Sequence, residues 1–216
     1  MTYEIDLPQA QTIVYALDMV GVGASTIAAS VLAKRLKLDI TGAFIISVLG
    51  SIGGGTVRDL LINRHPIFWL RDLNYLSLIL FLCVLTLIFY HYFEKIDRSL
   101  RWFDAIGLAA FTIIGVQAAL SRGMSAPIAI CMGAMTGAGG GVLRDIVCRQ
   151  IPLVLQKEIY ITASIVGSMY YIMLQDTGIN AWFHSISSIA LIVVVRMLAV
   201  YRQWNLPDIT LKMKEK

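Results

Sequence analysis

Seven apolar stretches, near residues 10–33, 41–62, 75–93, 102–121, 126–148, 158–175 and 180–200, take up nearly all of this 216-residue chain. Each is close to the ~20 residues a helix needs to cross the hydrocarbon core of a bilayer. A helix also satisfies its own backbone polar groups, as a segment in hydrocarbon must. The pattern therefore predicts an all-α membrane protein with seven transmembrane helices and almost nothing left for a soluble domain. Composition agrees. The chain is 57% hydrophobic and 15% charged, against ~45–50% and ~25% in soluble domains.

The first stretch follows Glu4 and Asp6 rather than a basic start, and it is too long for the apolar region of a cleaved signal. Cys83, Cys131 and Cys148 belong to no CxxC or Cys/His cluster, which argues against a zinc site or a disulfide framework and for small apolar filler. Basic residues orient the chain. With the N-terminus outside, fourteen Lys and Arg fall on the inner side, while Arg58, Arg64, Arg71 and Arg122 fall on the outer. The positive-inside rule then gives N-out and C-in, with the loops 34–40 and 94–101 cytoplasmic and 63–72 and 121–125 external. The net charge of +4 records this cytoplasmic excess and implies no nucleic-acid partner.

A shift of 86 residues superposes Gly53-Gly54-Gly55-Thr56-Val57-Arg58-Asp59 on Gly139-Gly140-Gly141-Val142-Leu143-Arg144-Asp145. Over 15–77 against 101–163, thirteen of 63 positions are identical, including Asp18 with Asp104, Gly21 with Gly107, Thr26 with Thr112 and Pro66 with Pro152. Arg71-Asp72 matches Lys157-Glu158 in charge. Each copy holds three spans. Because three is odd, the second copy enters the membrane from the opposite side, which makes an inverted repeat. The chain divides into a first repeat over 10–93, a second over 101–175, a seventh helix over 180–202 and a cytoplasmic tail over 203–216.

Three glycines in a row weaken a helix by ~1 kcal/mol each relative to alanine, and they let a neighbour approach the backbone. Two readings follow: close packing of small residues, or interruption of the second and fifth helices beside a passage, as in transporters with paired broken helices. The symmetry of the triplets favours interruption. Arg58 and Arg144 follow the glycines while apolar residues remain, and a buried arginine must snorkel, pair or meet water. Asp59 and Asp145 are the adjacent anions for a snorkelling arginine. Alternatively, depth pairs Asp18 with Arg58 in the outer half and Asp104 with Arg144 in the inner half. Two charged constellations flanking a glycine-lined middle suit a gated pathway. They do not suit an enzyme, since no nucleophile and base stand together.

Ser47, Ser51, Thr56 and Thr136 are candidates to line a passage, although bonding back to their own helix is the default for such residues. His65, His91 and His184 fall near span ends, where an interfacial role is expected. Trp69, Trp102, Trp182 and Trp204 fit an aromatic belt. Pro66 and Pro152 end or turn the glycine helices.

Two three-helix repeats, each with a GGGxxRD-like motif in its middle helix, plus one further helix, resemble the trimeric intracellular cation (TRIC) channel family. The likeness is greatest to its bacterial branch, small two-repeat proteins also labelled glycine transporters. It spans about residues 10 to 205. It implies a homotrimer in the bacterial inner membrane, in contact with membrane lipid, each subunit with its own pore for potassium or related monovalent cations. It also implies no cofactor beyond the permeant ion. It places the pore or gate at Gly53, Gly54, Gly55, Arg58, Gly139, Gly140, Gly141 and Arg144, with Asp18, Asp59, Asp104 and Asp145 offsetting the guanidinium charge. The phosphoinositide-binding motif of animal members has no match here. A carrier for a small zwitterion such as glycine fits the same repeats.

Overall fold

The computed structural model describes residues 7–94, 99–156, 159–175, 177–178 and 180–204. Lys95, Arg98, Lys157, Glu158 and the tail from 205 onward lie outside them. Among the described residues all regular structure is helical. The long helices are α1 (Leu7–Arg35), α2 (Ile40–Leu61), α5 (Ser99–Leu120), α6 (Ala126–Val147) and α8 (Ala181–Arg202). Between them stand α3 (Asn74–Ile88), α4 (Tyr90–Glu94) and α7 (Ile161–Gln175). Five helices are long and apolar enough to cross a membrane, while α3 and α7 are apolar but only 15 residues each. The third stretch, expected as one span over 75–93, is divided at Phe89 into α3 and α4.

The centre of the molecule is made by α1, α2, α5 and α6, with α3 laid on α1 and α2, α7 on α5 and α6, and α8 on α5 and α7. The glycines of α2 and α6 decide how that centre closes. Both helices run without interruption through their triplets, which corrects the expected break. A Cβ on Gly54 would collide with the Thr136 carbonyl oxygen, and one on Gly140 with the Gly50 carbonyl oxygen. Small residues thus let two helix backbones touch, and this contact offsets the weak helix propensity of glycine.

The two glycine helices also end alike. Asn63 and Arg149 hold left-handed backbone, with φ of 51° and 53°. Behind them Arg64 N–H donates to the Asp59 carbonyl at 2.7 Å, and Gln150 N–H to the Asp145 carbonyl at 2.8 Å. This is a Schellman-type closure, which satisfies the last carbonyls of a helix. The chain then turns through a short 3-10 segment, Phe68–Arg71 in the first copy and Leu153–Leu155 in the second. A large apolar surface remains outside: Leu80, Phe81 and Ile88 on α3 are more than half exposed, as a lipid-facing helix requires.

Candidate pore and gate residues

The aspartate of each motif ties its helix to the turn that follows. Asp59 Oδ1 accepts from Arg58 Nε at 2.9 Å, while its Oδ2 accepts from the Phe68 backbone N–H at 3.0 Å. Asp145 does the same, with Arg144 Nε at 2.8 Å and Leu153 N–H at 3.3 Å. Both arginines are almost fully buried, at 3% and 2% exposure, so neither snorkels to an interface. Charge-assisted bonds of this kind are the condition on which a buried guanidinium is tolerated.

Beyond that shared clamp the two ends differ. Arg144 Nη1 also reaches Asp104 Oδ1 at 3.2 Å, so one guanidinium sits between two carboxylates. The side chains of Tyr160, Arg144 and Asp104 all lie against Gly141. At the other end the expected pair of Asp18 with Arg58 is not formed. Asp18 accepts instead from the Tyr75 hydroxyl at 2.7 Å, and Arg58 faces the Phe68 ring with its Cζ 5.4 Å from the centroid. Both Asp18 and Arg58 line a cavity of about 1190 Å3.

That cavity gathers the start of α1, the turn after α2, the turn after α5 and the facing ends of α7 and α8. All four arginines assigned by charge to the outer side, Arg58, Arg64, Arg71 and Arg122, line it, against the carboxylates of Asp18 and Asp72. Arg64 and Arg122 form no ion pair with a described residue. Asp72 lies at the rim, where the Asn74 backbone N–H and the Tyr15 hydroxyl donate to it at 2.9 and 2.7 Å and hold its carboxyl below the usual range.

Several residues singled out from the sequence stand elsewhere. Ser47 and Ser51 join α2 to α1 through Ser30 at 3.0 Å and Thr26 at 2.8 Å. Thr56 and Thr136 bond to the carbonyls of Ile52 and Met132 in their own helices. None of the four lines the cavity. His184, expected at an interface, is buried beside Tyr171, whereas His65 and His91 are exposed.

Three buried side chains beside these clusters were not singled out from the sequence. Tyr75 and Tyr160 occupy matching places but are offset by 85 residues and not 86, because the second copy is one residue shorter between Pro152 and the turn. An alignment with one gap after the proline finds them. Arg196 of α8 is 1% exposed, with its Cζ 4.9 Å from the Tyr160 ring centroid and its Nη1 donating to the Ile159 carbonyl at 3.1 Å. Its signal was an arginine inside the seventh apolar stretch.

Comparison with known proteins agrees with this architecture. The family model described as glycine transporter matches twice, over residues 15–91 and 101–176. A UPF0126 membrane protein of Vibrio cholerae is 37% identical over 93% of this chain and 84% of its own length. The UPF0126 inner membrane protein YadS of Escherichia coli is 33% identical over 92% and 97%. Among solved structures, the TRIC trimeric intracellular cation channel orthologue from Rhodobacter sphaeroides superposes with a TM-score of 0.84 at 33% identity, covering 89% of this chain and 100% of that one. A prokaryotic TRIC channel gives the same TM-score at 30% identity, covering 91% and 100%. The chain therefore belongs to the glycine transporter family of UPF0126 membrane proteins, the bacterial branch of the TRIC channels. It is an inner-membrane protein and not an enzyme.

Proposed function

We propose that the protein is a channel for monovalent cations, potassium among them, working as a homotrimer with one pathway in each subunit. The chain crosses the membrane seven times, with α3–α4 and α7 as the third and sixth crossings, in two inverted three-helix repeats, N-terminus outside and C-terminus inside. The observation that carries the reading is the pairing of one fold with one site. An arginine–aspartate clamp stands at each end of a tight glycine crossing, within a backbone that superposes on TRIC cation channels along nearly its whole length.

In this reading the structure is a closed form. Ions enter the outer cavity as far as Asp18 and Arg58. They are stopped in the middle by the contact of α2 with α6, and at the inner end by Arg144 held between Asp104 and Asp145. Opening separates the two helices along a glycine surface that has no side chains to unlock. The arginines act as braces and gates, and their aspartates remove the repulsion that a bare guanidinium would exert on a cation.

A second reading, a carrier for glycine or a similar zwitterion, is favoured by the family's description and by the four arginines of the outer cavity, which would attract a carboxylate. Proteoliposomes separate the two. The channel reading predicts rapid, protein-dependent potassium efflux and no saturable accumulation of labelled glycine. Saturable glycine uptake without potassium efflux establishes the carrier.

A further inference from the structure

The two repeats differ in how they treat buried hydroxyls. In the first, the hydroxyls between α1 and α2 satisfy one another: Thr26 with Ser51 at 2.8 Å, Ser30 with Ser47 at 3.0 Å, with Thr26 and Ser30 also bonded to their own helix. In the second, the positions matching Ser47 and Ser51 are Gly133 and Gly137, and the polar groups have moved to the seam of α5, α7 and α8. With the offset of 85 residues, Ile79 and Cys83 of α3 become Ser164 and Ser168 of α7. An apolar face in one copy is a hydroxyl face in the other.

This second seam is unsaturated. At its outer tier Gln117 Nε2 donates to Tyr171 Oη at 3.0 Å and to Ser185 Oγ at 3.1 Å, which leaves Gln117 Oε1 buried without a partner. One turn deeper, Ser168 and Ser188 are both 0% exposed and both lack a hydrogen-bond partner. Because α7 and α8 are antiparallel and each serine lies three residues from the outer tier, the two hydroxyls share one depth, ~4.5 Å below Tyr171 and Ser185. His184 Nε2 is a further unpartnered atom beside Tyr171. The seam ends at Thr112 Oγ1, bonded to Ser164 Oγ at 3.0 Å. Buried polar atoms are nearly always satisfied, by protein, water or an ion, so unpartnered ones along one seam, with Ser168 Oγ set against Gly133 of α6, point to a ligand there.

The seam opens on the outer cavity, because Gln117, Tyr171 and Ser185 line that cavity too. The cavity therefore has two kinds of floor: a charged one at Asp18 and Arg58, and a neutral, oxygen-bearing one here. A cation shedding its water needs oxygen ligands and is repelled by guanidinium, so the neutral floor suits it better. We propose that the seam between α5, α7 and α8 is a site for a partly dehydrated monovalent cation, with Gln117, Ser168, Ser185 and Ser188 supplying oxygen ligands at the foot of the outer cavity. The site deepens the channel reading and rests on it for its role in conduction.

Two measurements test it on the full-length protein, with the double variant Ser168→Ala/Ser188→Ala and, as control, Ser30→Ala in the saturated seam. The first is thermal stability in potassium chloride against choline chloride. A cation bound to the folded state raises Tm by mass action. Wild type and Ser30→Ala should show the potassium-dependent rise, and the double variant should lose it. A rise that persists in the double variant, or that wild type never shows, overturns the site whether or not the protein is a channel. The second is unitary potassium conductance in planar bilayers, which should fall several-fold in the double variant and not in Ser30→Ala. An unchanged conductance removes the site from the pathway, whereas a wild type without unitary currents refutes the channel reading itself.

Discussion

Arg144 Nη1 stands 3.2 Å from Asp104 Oδ1, while the matching Asp18 turns to Tyr75 and leaves Arg58 to Asp59 alone. One repeated motif therefore sets an arginine between two carboxylates at one end of the molecule and, at the other, an arginine held by one carboxylate beside a cavity. Asp18 and Arg58 both line the cavity, whereas Arg144 is held by two carboxylates and Tyr160 packs against Arg196.

Double-mutant cycles should report that asymmetry. Removing one partner of a buried pair costs ~3–5 kcal/mol, because the other charge is left uncompensated. Asp104→Asn and Arg144→Gln should therefore be strongly coupled, by ~1–3 kcal/mol. Asp18→Asn and Arg58→Gln, which line one cavity without an ion pair, should couple more weakly. Thermal unfolding of detergent-purified protein measures both. Equal coupling at the two ends contradicts the geometry.

Much of this was legible in the residues. The shift of 86 exposed the repeat, and comparable depth singled out Asp104 for Arg144. Two things were hidden. A deletion of one residue moved Tyr160 out of register with Tyr75, so that no ungapped comparison could pair them. The cavity lined by Asp18 and Arg58 also takes residues from α5, α7 and α8, a tertiary outcome with no local signal. The glycine triplets misled for a related reason. Propensity weighs a helix in isolation, and contact with Thr136 and Gly50 offsets that weakness, so α2 and α6 stay helical through their triplets.

The glycines should not be equivalent. Gly54→Ala and Gly140→Ala drive a methyl into backbone atoms of the facing helix and should each destabilise the protein by ~1–3 kcal/mol, the usual cost of overpacking. At Gly141 a Cβ would find its nearest neighbour, Tyr160 Oη, at an ordinary 3.5 Å. Gly141→Ala should therefore be neutral or stabilising, by up to ~1 kcal/mol from helix propensity. Melting temperatures of the three variants decide it. Equal losses in all three would show that the triplets act through chain flexibility and not through contact.

Topology is open to labelling. In a background with Cys83, Cys131 and Cys148 replaced, Asn63→Cys should react with a membrane-impermeant thiol reagent in intact cells, and Arg149→Cys only after permeabilisation. Both positions follow the same left-handed closure of a glycine helix. Reaction of both from one side would rule out inversion of the repeats.

The rim should be insensitive to mild acid. Asp72 has a carboxyl held below its usual range by Asn74 N–H and the Tyr15 hydroxyl. A depressed folded-state pKa contributes stability above the unfolded value of ~3.9, lost only as pH falls through the lower folded value. Melting temperature in Asp72→Asn should therefore trail wild type by a constant amount from pH 8 to pH 5. The gap should close only under strongly acid conditions. A gap that closes near neutrality would assign the effect to another group.

Conduction of monovalent cations is open to recording from purified protein in a planar bilayer under a potassium chloride gradient. Discrete unitary currents are expected, with a reversal potential close to that of potassium and far from that of chloride. Arg144→Gln should alter their open probability. A bilayer that stays silent, or currents reversing at the chloride potential as four arginines in the outer cavity would favour in an anion pathway, would contradict it.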